Sequence, residues 1–393
     1  MVNNIYIPNY KLSICDSIEL INAPHWKSVT NNGNVYLTID YLRSIEHSNP
    51  DNLIFKYVIF YNELLKPVAA AYFQIIHFVD KGFKFIEMVC PVKNIFKKKL
   101  LESIDITVLL CGNIFACGEN GFAYTSEVNS KDAFLLLSDG MKGLTRDTER
   151  NGQISLSLFK EFWPETVPEA DSLTESRYKG FNIDVNMVMT IHPDWKKMDD
   201  YLSVMSTKFR TKVKGVYKKS EKVRVENFSA DDIKNHAIEI SDLYGAVTSK
   251  ATYNFANLKN QAFVNFKQSL KEKFIFKAYF IDKKMVGFSS LFYFDNILDA
   301  NYVGLDYDYI KEYAIYQRML YDFVDLSIKL GVKKLRLGRT AELIKSSIGA
   351  EPVNMKLYVK HRNSISNKLL GPFIQSIKPS SFELRLPFKK EFA

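Results

Sequence analysis

The sequence predicts an α/β (α+β) chain of two tandem units, each a mixed, mainly antiparallel sheet flanked by helices. Three observations predict it. The chain has 393 residues, too long for one ordinary domain and about right for two. Hydrophobic residues make up 47% of it, with 29 Phe and 22 Tyr. That is enough to bury a sizeable core, and it excludes global disorder. The same order of elements is also read twice: hairpin, third strand, loop, helix, strand. The repeat is one of architecture and not of residues. The 17 Gly and 12 Pro exclude collagen-like and low-complexity designs.

In the first half, LIFKYVIFY (Leu53–Tyr61) reads as a strand, 62–67 as a turn and 68–78 as a second strand. A basic, partly helical insertion follows at 81–103. Ile106–Cys111 is a buried strand, and CGNIFACGENG after it is a loop containing glycines. A helix is expected over 130–144, with Ser130 as its cap and Asp132 in its first turn. A strand at 154–159 closes this half. WPETVPEADSLTESRYKG (163–180), with two Pro and many polar residues, is the linker candidate. The division expected is 1–165, a linker at 166–180, a second unit at 181–365 and an irregular extension at 366–393. A final strand of one unit returning to the other would move these bounds.

In the second half, 181–190 is a strand, and 194–219 a basic amphipathic helix with a break expected near Gly215. Phe274–Ile281 and 285–294 form a hairpin around Asp282, Lys283 and Lys284, and 298–304 is the third strand. The loop LDYDYIKEY leads into a helix at 314–330, whose broad apolar stripe faces the core and which Gly331 ends. A strand at 334–337, a short helix at 341–347 and a last strand at 355–360 complete the unit.

The formal charge is +9, unevenly spread. Residues 1–190 hold 18 Lys/Arg against 22 Asp/Glu, and residues 191–393 hold 35 against 22. The basic half suits a phosphate-bearing partner as well as a plain solvated face. Lys208, Arg210, Lys212, Lys214, Lys218, Lys219, Lys222 and Arg224 stand against the single acid Glu221. RNA phosphates, a cofactor phosphate and an anionic lipid surface all fit this run. Aromatic interleaving is too slight for base stacking. Lys97, Lys98 and Lys99 read as surface.

Cys15, Cys90, Cys111 and Cys117 form no C-x-x-C and no zinc-spaced set with His, so reduced thiols in the cytoplasm are expected. Cys111 and Cys117 flank the glycine loop and read as buried structural thiols. His25, His77 and His192 are isolated and read as no metal ligands. The start, MVNNIYIPNYK, lacks the pattern of a signal peptide. The apolar stretches are interrupted or too short to span a bilayer, while a peripheral contact with the inner membrane face stays compatible.

Three segments carry a family resemblance. They are DYLSVMSTKFRTKVKGVYKK (200–219), YVGLDYDYIKEYAIYQRMLYDFVDLSIKLG (302–331) and LRLGRTAELIKSSIGAEP (335–352). With the element order, they make 180–365 similar to the GNAT acyltransferase fold. The tandem resembles the Fem family, which transfers amino acids from aminoacyl-tRNA to cell-wall precursors, and the broader group of Fem-like acyltransferases. Arg339, Thr340, Lys345 and Gly349 match the Fem-like pattern. The resemblance implies two GNAT-like units and an amine or hydroxyl attacking an activated acyl group. The enzyme holds both reactants and polarises the carbonyl, often with backbone N–H groups at a splayed strand. No covalent nucleophile is required, which suits a chain lacking G-x-S-x-G.

Many GNAT enzymes grip coenzyme A pyrophosphate with a glycine-rich turn after the third strand. In the second half that turn has no glycine after Gly304 and carries Asp306, Asp308 and Glu312, which would repel a pyrophosphate. The first-half loop holds Gly112, Asn113, Gly118 and Gly121, and is the better cofactor-binding candidate, with a plain turn as the alternative. Arg339 and Lys345 flank a strand-to-helix turn where ligands of open sheets sit, and a guanidinium there can clamp a carboxylate or phosphate. A structural pairing with Glu342 or Asp306 is the alternative. Asp299, Asn301 and Tyr302 are the catalytic candidates. Strand alternation sets Asp299 and Asn301 on one face and Tyr302 on the other, and a buried carboxylate there suits a general base. Asp306, Tyr316 and Arg210 complete the substrate-binding candidates.

The first reading is therefore a cytoplasmic acyltransferase. It moves an acyl group from acyl-CoA or acyl carrier protein, neither permanently bound, to an amine acceptor in envelope lipid or glycan biosynthesis. The second keeps the fold and takes aminoacyl-tRNA as donor, although no heptad run for the long coiled-coil arm of the classical bridge enzymes is present. The third is a non-catalytic module that recognises an anionic ligand.

Overall fold

The computed structural model describes residues 2–7, 9–48, 50, 53–78, 106–148, 154–250, 257–375, 383–390 and 392. The expected insertion at 81–103, with Cys90 and the triple lysine, lies outside them. Two compact units emerge. The first is Met1–Asp184 with Asn354–Ser380, the second Val185–Val353 with Ser381–Ala393.

The first unit opens with strands β1 (Val2–Ile7) and β2 (Tyr10–Cys15) and helices α1 (Ala23–Thr30) and α2 (Ile39–His47). Strands β3 (Leu53–Tyr61), β4 (Pro67–Phe78), β5 (Ile106–Cys111) and β6 (Phe122–Tyr124) follow. Helix α3 (Ser130–Thr148) then leads to β7 (Leu156–Phe162) and the short helix α4 (Val167–Ala170). Strands β1 to β5 pair in order as an antiparallel series, and β7 joins β5 in parallel. Strands β3 and β4 are buried on both faces, so their sequences run apolar without alternation. Helix α3 lays Ala133, Phe134, Leu137, Met141 and Leu144 onto Val58, Phe60, Phe73 and Leu109. Gly140 permits this approach, because a Cβ there would lie 2.6 Å from the Phe60 ring.

The second unit begins inside β8 (Lys179–Thr190). Helices α5 (Met198–Val204) and α6 (Thr207–Lys219), strand β9 (Arg224–Asn227) and helices α7 (Ala230–Asn235), α8 (Ala237–Thr248) and α9 (Asn260–Leu270) come next. Then come β10 (Phe274–Ile281), β11 (Lys284–Phe294), β12 (Ile297–Leu305), α10 (Tyr307–Tyr313), α11 (Ile315–Leu330), β13 (Lys334–Arg336) and α12 (Glu342–Ser346). Strand order is β8-β13-β12-β11-β10-β9, with the β12–β13 pair parallel and the rest antiparallel. On one face α11 packs Ile315, Met319, Phe323 and Val324 with Phe209, Val213 and Val216 of α6. On the other, Phe263 and Phe266 of α9 meet Phe276, Phe288 and Phe292. Gly331 adopts φ 63° and donates to Ile328, while Val332 donates to Ser327. This is the left-handed cap the sequence predicts.

Strand β14 (Glu351–His361) and helix α13 (Ser364–Gln375) end the description, with β14 antiparallel to β7. Each unit thus contains two antiparallel hairpin strands, a third strand, a helix and a parallel strand, as the element order predicts.

Four expectations need correction. Residues 166–180 are no linker: α4 and a 3-10 turn, Asp171–Ser176, bury Ala170, Leu173 and Tyr178 in the first core. Pro168 sits in the first turn of α4, where its missing N–H costs nothing. The basic helix breaks at Met205, which is extended and buried, and not at Gly215. The segment from Asn354 belongs to the first unit, because β14 completes that sheet. The 366–393 tail is also not irregular throughout, since α13 occupies its start.

Candidate functional site

The parallel pair β12–β13 opens partway along. Ile297, Leu298 and Asp299 pair with Lys334, Leu335 and Arg336. Beyond them β13 leans to β8, where Leu337 N–H donates to Met187 O and Met187 N–H donates to Gly338 O. Strand β12 continues on β11 alone, out to Leu305. The result is a splayed strand pair of the kind the resemblance implies.

A bulge lies at the opening. Ser290 pairs with Tyr302 and Leu291 with Ala300, so Asn301 is the extra residue of a bulge. The bulge changes the phase of the strand. Leu298, Ala300, Val303 and Leu305 face the α11 side, which sets Asp299 on the opposite face. Tyr302 is on that opposite face too, edge-on to Tyr244 and Phe263. The expected separation of Asp299 from Tyr302 is therefore overturned by one inserted residue, and Tyr302 is an aromatic packing residue. Asp299 is 1% exposed and stands opposite Arg336 in register.

Two residues that the sequence reading passed over share this face. Leu335 and Leu337 point into the α11-side core, as do Val185, Met187 and Met189. Arg336 and Asn186 therefore point the other way, toward the side of Asp299. Asn186 is fully buried, and neither polar atom of its side chain has a hydrogen-bond partner. A lone Asn inside VNMVM was the signal available in the sequence.

The loop from β13 to α12 is strained. Gly338, Thr340 and Ala341 all have left-handed φ, at 68°, 63° and 54°, unusual for a β-branched residue such as Thr340. Lys345 holds it from inside. Its side chain is buried, with Nζ donating to Arg339 O at 2.5 Å and to Gly338 O at 3.4 Å. Lys345 is thus a positioning residue and not an exposed clamp, while Arg339 is half-buried on the loop it secures. Tyr316, on α11, has its phenol pushed up to about 12 by burial first, then by the charges of Glu342 and Tyr307. Arg210 is half-buried on α6, outside the β12–β13 loop cluster.

Asp306 caps α10, accepting from Asp308 N–H at 3.1 Å and pairing with Lys284 at 2.8 Å. A carboxylate of the protein therefore occupies the turn that holds pyrophosphate in many GNAT enzymes.

The glycine loop of the first unit turns inward. Ile114 N–H donates to Gln74, Phe115 N–H to Asn113 Oδ1, and Gly118 N–H to Glu161 Oε2 at 2.8 Å. Asn113 is fully buried and donates to Tyr41. A Cβ on Gly121 would lie 2.4 Å from Gly112 N, so these glycines serve backbone-on-backbone packing. Three of the loop's amides are thus taken by Gln74 of β4, Asn113 of the loop and Glu161 of β7, which argues against the expected phosphate cradle. Cys111 is buried and its thiol is pushed up by burial, so it is no nucleophile. A cavity of about 280 Å³ beside the loop is lined by Gly121, Lys160, Glu119, Tyr124 and Thr166, among others.

No protein-family model matches the chain, and no curated protein matches it. Solved structures do. FemX superposes at TM-score 0.56 with 10% identity, over 93% of this chain and 99% of its own. The C-terminal (DUF2156) domain of a candidate lysylphosphatidylglycerol synthetase from Agrobacterium fabrum superposes at 0.50 with 8% identity, over 91% and 98%. At these identities the likeness is one of fold, and it agrees with the two similarly ordered units described above. The chain shares the fold of FemX and of that synthetase domain.

Proposed function

We propose that the protein transfers an aminoacyl or acyl group from an activated ester to an amine acceptor. The donor in this reading is carried by a macromolecule, aminoacyl-tRNA first, and is not free acyl-coenzyme A. One observation carries the choice of donor. At both turns where a GNAT-type unit offers N–H groups to pyrophosphate, a carboxylate of the protein is already engaged: Asp306 on α10 and Glu161 on Gly118. A pyrophosphate there would meet like charge.

The basic helix α6 supports the same choice. Its Lys208, Arg210, Lys212, Lys214, Lys218 and Lys219 have no acid among them on the helix, and a polyanion supplies that countercharge. The acceptor class is an amine-bearing envelope lipid or glycan precursor. The A. fabrum neighbour's name ends in a lipid product.

In the reaction, the acceptor nitrogen attacks the ester carbonyl and a C–N bond forms. The carbonyl oxygen takes negative charge beside the bulge at Asn301, where the strand pair opens and polar groups can stabilise it. The ester C–O bond then breaks. Asp299 takes the amine proton and returns it to the departing alcohol. Asn186 orients a polar group of donor or acceptor.

Labelled aminoacyl-tRNA, acyl carrier protein and acyl-coenzyme A, each incubated with amine acceptors, test this. Transfer from aminoacyl-tRNA is expected. Equal turnover of acyl-coenzyme A overturns the donor assignment. No transfer from any donor, with anion binding kept, returns the chain to a non-catalytic module.

A further inference from the structure

We propose that the first unit docks on an anionic phospholipid surface through a basic pocket and the exposed apolar edge of α13, independently of the transfer reaction. The pocket has a volume of about 360 Å³ and is lined by Lys142, Arg177, Lys360, His361, Arg362 and Glu175, among others. Four permanent cations thus face one carboxylate, and that carboxylate is itself paired with Lys131 at 2.9 Å. Of the four, Lys142 is paired with Asp139 at 2.7 Å. Burial, then the charges of Lys142 and Arg177, push the Lys360 ammonium down, against an opposing effect of Asp139. Burial also pushes the His361 imidazole down, so this ring adds no charge at neutral pH. The pocket is a cavity with surplus positive charge, at the end of β14 that pairs with the start of β7.

An independent feature adjoins it. Helix α13 begins at the pocket, and its Asn367 is buried, donating to Arg177 O at 3.0 Å and accepting from His361 N–H at 2.9 Å. That contact fixes which way the helix faces. Asn367 and Ile374 are buried, while Ile365 and Leu369 are 72% and 66% exposed. Spaced i, i+4, they form one apolar ridge on the opposite face, flanked by exposed Lys368.

An apolar ridge beside a cationic pocket has the chemistry of an interfacial contact. The ridge enters the boundary between headgroups and acyl chains, and the pocket receives a lipid phosphate. A soluble anion would use the pocket and leave the ridge without purpose, whereas a lipid surface uses both.

Vesicle co-sedimentation of the full chain tests this, with phosphatidylglycerol/phosphatidylcholine vesicles against phosphatidylcholine alone. Partition onto the anionic vesicles only, weakened by salt, is expected. Surface cations contribute roughly fivefold each, so Arg177→Gln with Lys360→Gln is expected to weaken partition roughly 25-fold. Ile365→Ser with Leu369→Ser is expected to weaken it separately. All four substitutions are on exposed or half-exposed side chains, and circular dichroism checks that the fold is kept. Equal binding to neutral vesicles overturns the proposal, and so does wild-type partition by both double variants. Glycerol phosphate binding to the pocket without vesicle partition also overturns it, making the pocket a soluble-anion site.

Discussion

Asn186 is fully buried, and its amide has no hydrogen-bond partner. A buried unsatisfied polar group costs about 1–3 kcal/mol, so the position is poorly chosen for stability and well chosen for gripping a ligand. Asn186→Leu is therefore expected to raise the free energy of unfolding by about 1–2 kcal/mol while lowering kcat/KM at least tenfold. Urea unfolding and steady-state kinetics read the two effects, and a variant that is less stable with unchanged activity contradicts the role. Asp171 is the contrasting residue. Burial alone would raise its pKa, but hydrogen bonds from Lys356 at 2.5 Å and Tyr358 at 2.7 Å, with the Lys356 charge, hold it below the ordinary value. A depressed carboxylate adds stability above its unfolded pKa and loses it as pH falls through the folded one. Asp171→Asn is thus expected to cost about 0.5–1 kcal/mol near pH 7, given its partial exposure. The difference from wild type should vanish well below pH 4, as denaturation midpoints against pH would show.

The loop between β13 and α12 is held by one ammonium on two carbonyls. Lys345→Met keeps much of the side chain's length but strands the carbonyls of Gly338 and Arg339. A loss of about 1–3 kcal/mol is expected, with kcat falling more than KM rises, because Thr340 and Ala341 then relax from their left-handed conformations. Unchanged kinetics in a destabilised protein would make Lys345 purely structural. At this scale much was legible in the sequence. The strands Leu53–Tyr61, Ile106–Cys111 and Phe274–Ile281 and the Gly331 cap follow from apolar runs and from glycine's freedom in the left-handed region. The Asn301 bulge was not legible, because a bulge depends on which residue of the neighbouring strand is opposite, and no local pattern encodes that. It moved Tyr302 to the face of Asp299. The inward turn of the glycine loop was hidden for a similar reason, since Glu161 is 43 residues from Gly118.

Over the whole molecule, each unit is made of two stretches of chain. Removing everything after Val353 takes β14 from the first unit. It also takes Phe388 from the second, where its ring lies 6.0 Å from that of Trp195 and 6.1 Å from that of Tyr201. Removing only 383–393 takes the second contact and leaves β14 in place. The shorter truncation is expected to stay monodisperse with a lowered Tm. The longer one should aggregate, because β7 becomes an open strand edge. Size-exclusion chromatography separates these outcomes, and a monodisperse product from the longer truncation would show β14 to be dispensable.

The return of β14 also sets a timetable for synthesis. The first unit leaves the ribosome with its sheet one strand short, and the missing strand is encoded beyond the whole of Val185–Val353. At ordinary elongation rates the wait is on the order of ten to thirty seconds. Throughout it, the nascent chain carries β7 with one hydrogen-bonding edge bare. The protein is therefore expected to be a client of ribosome-associated chaperones, and slowed translation across Val185–Val353 should lower its soluble yield.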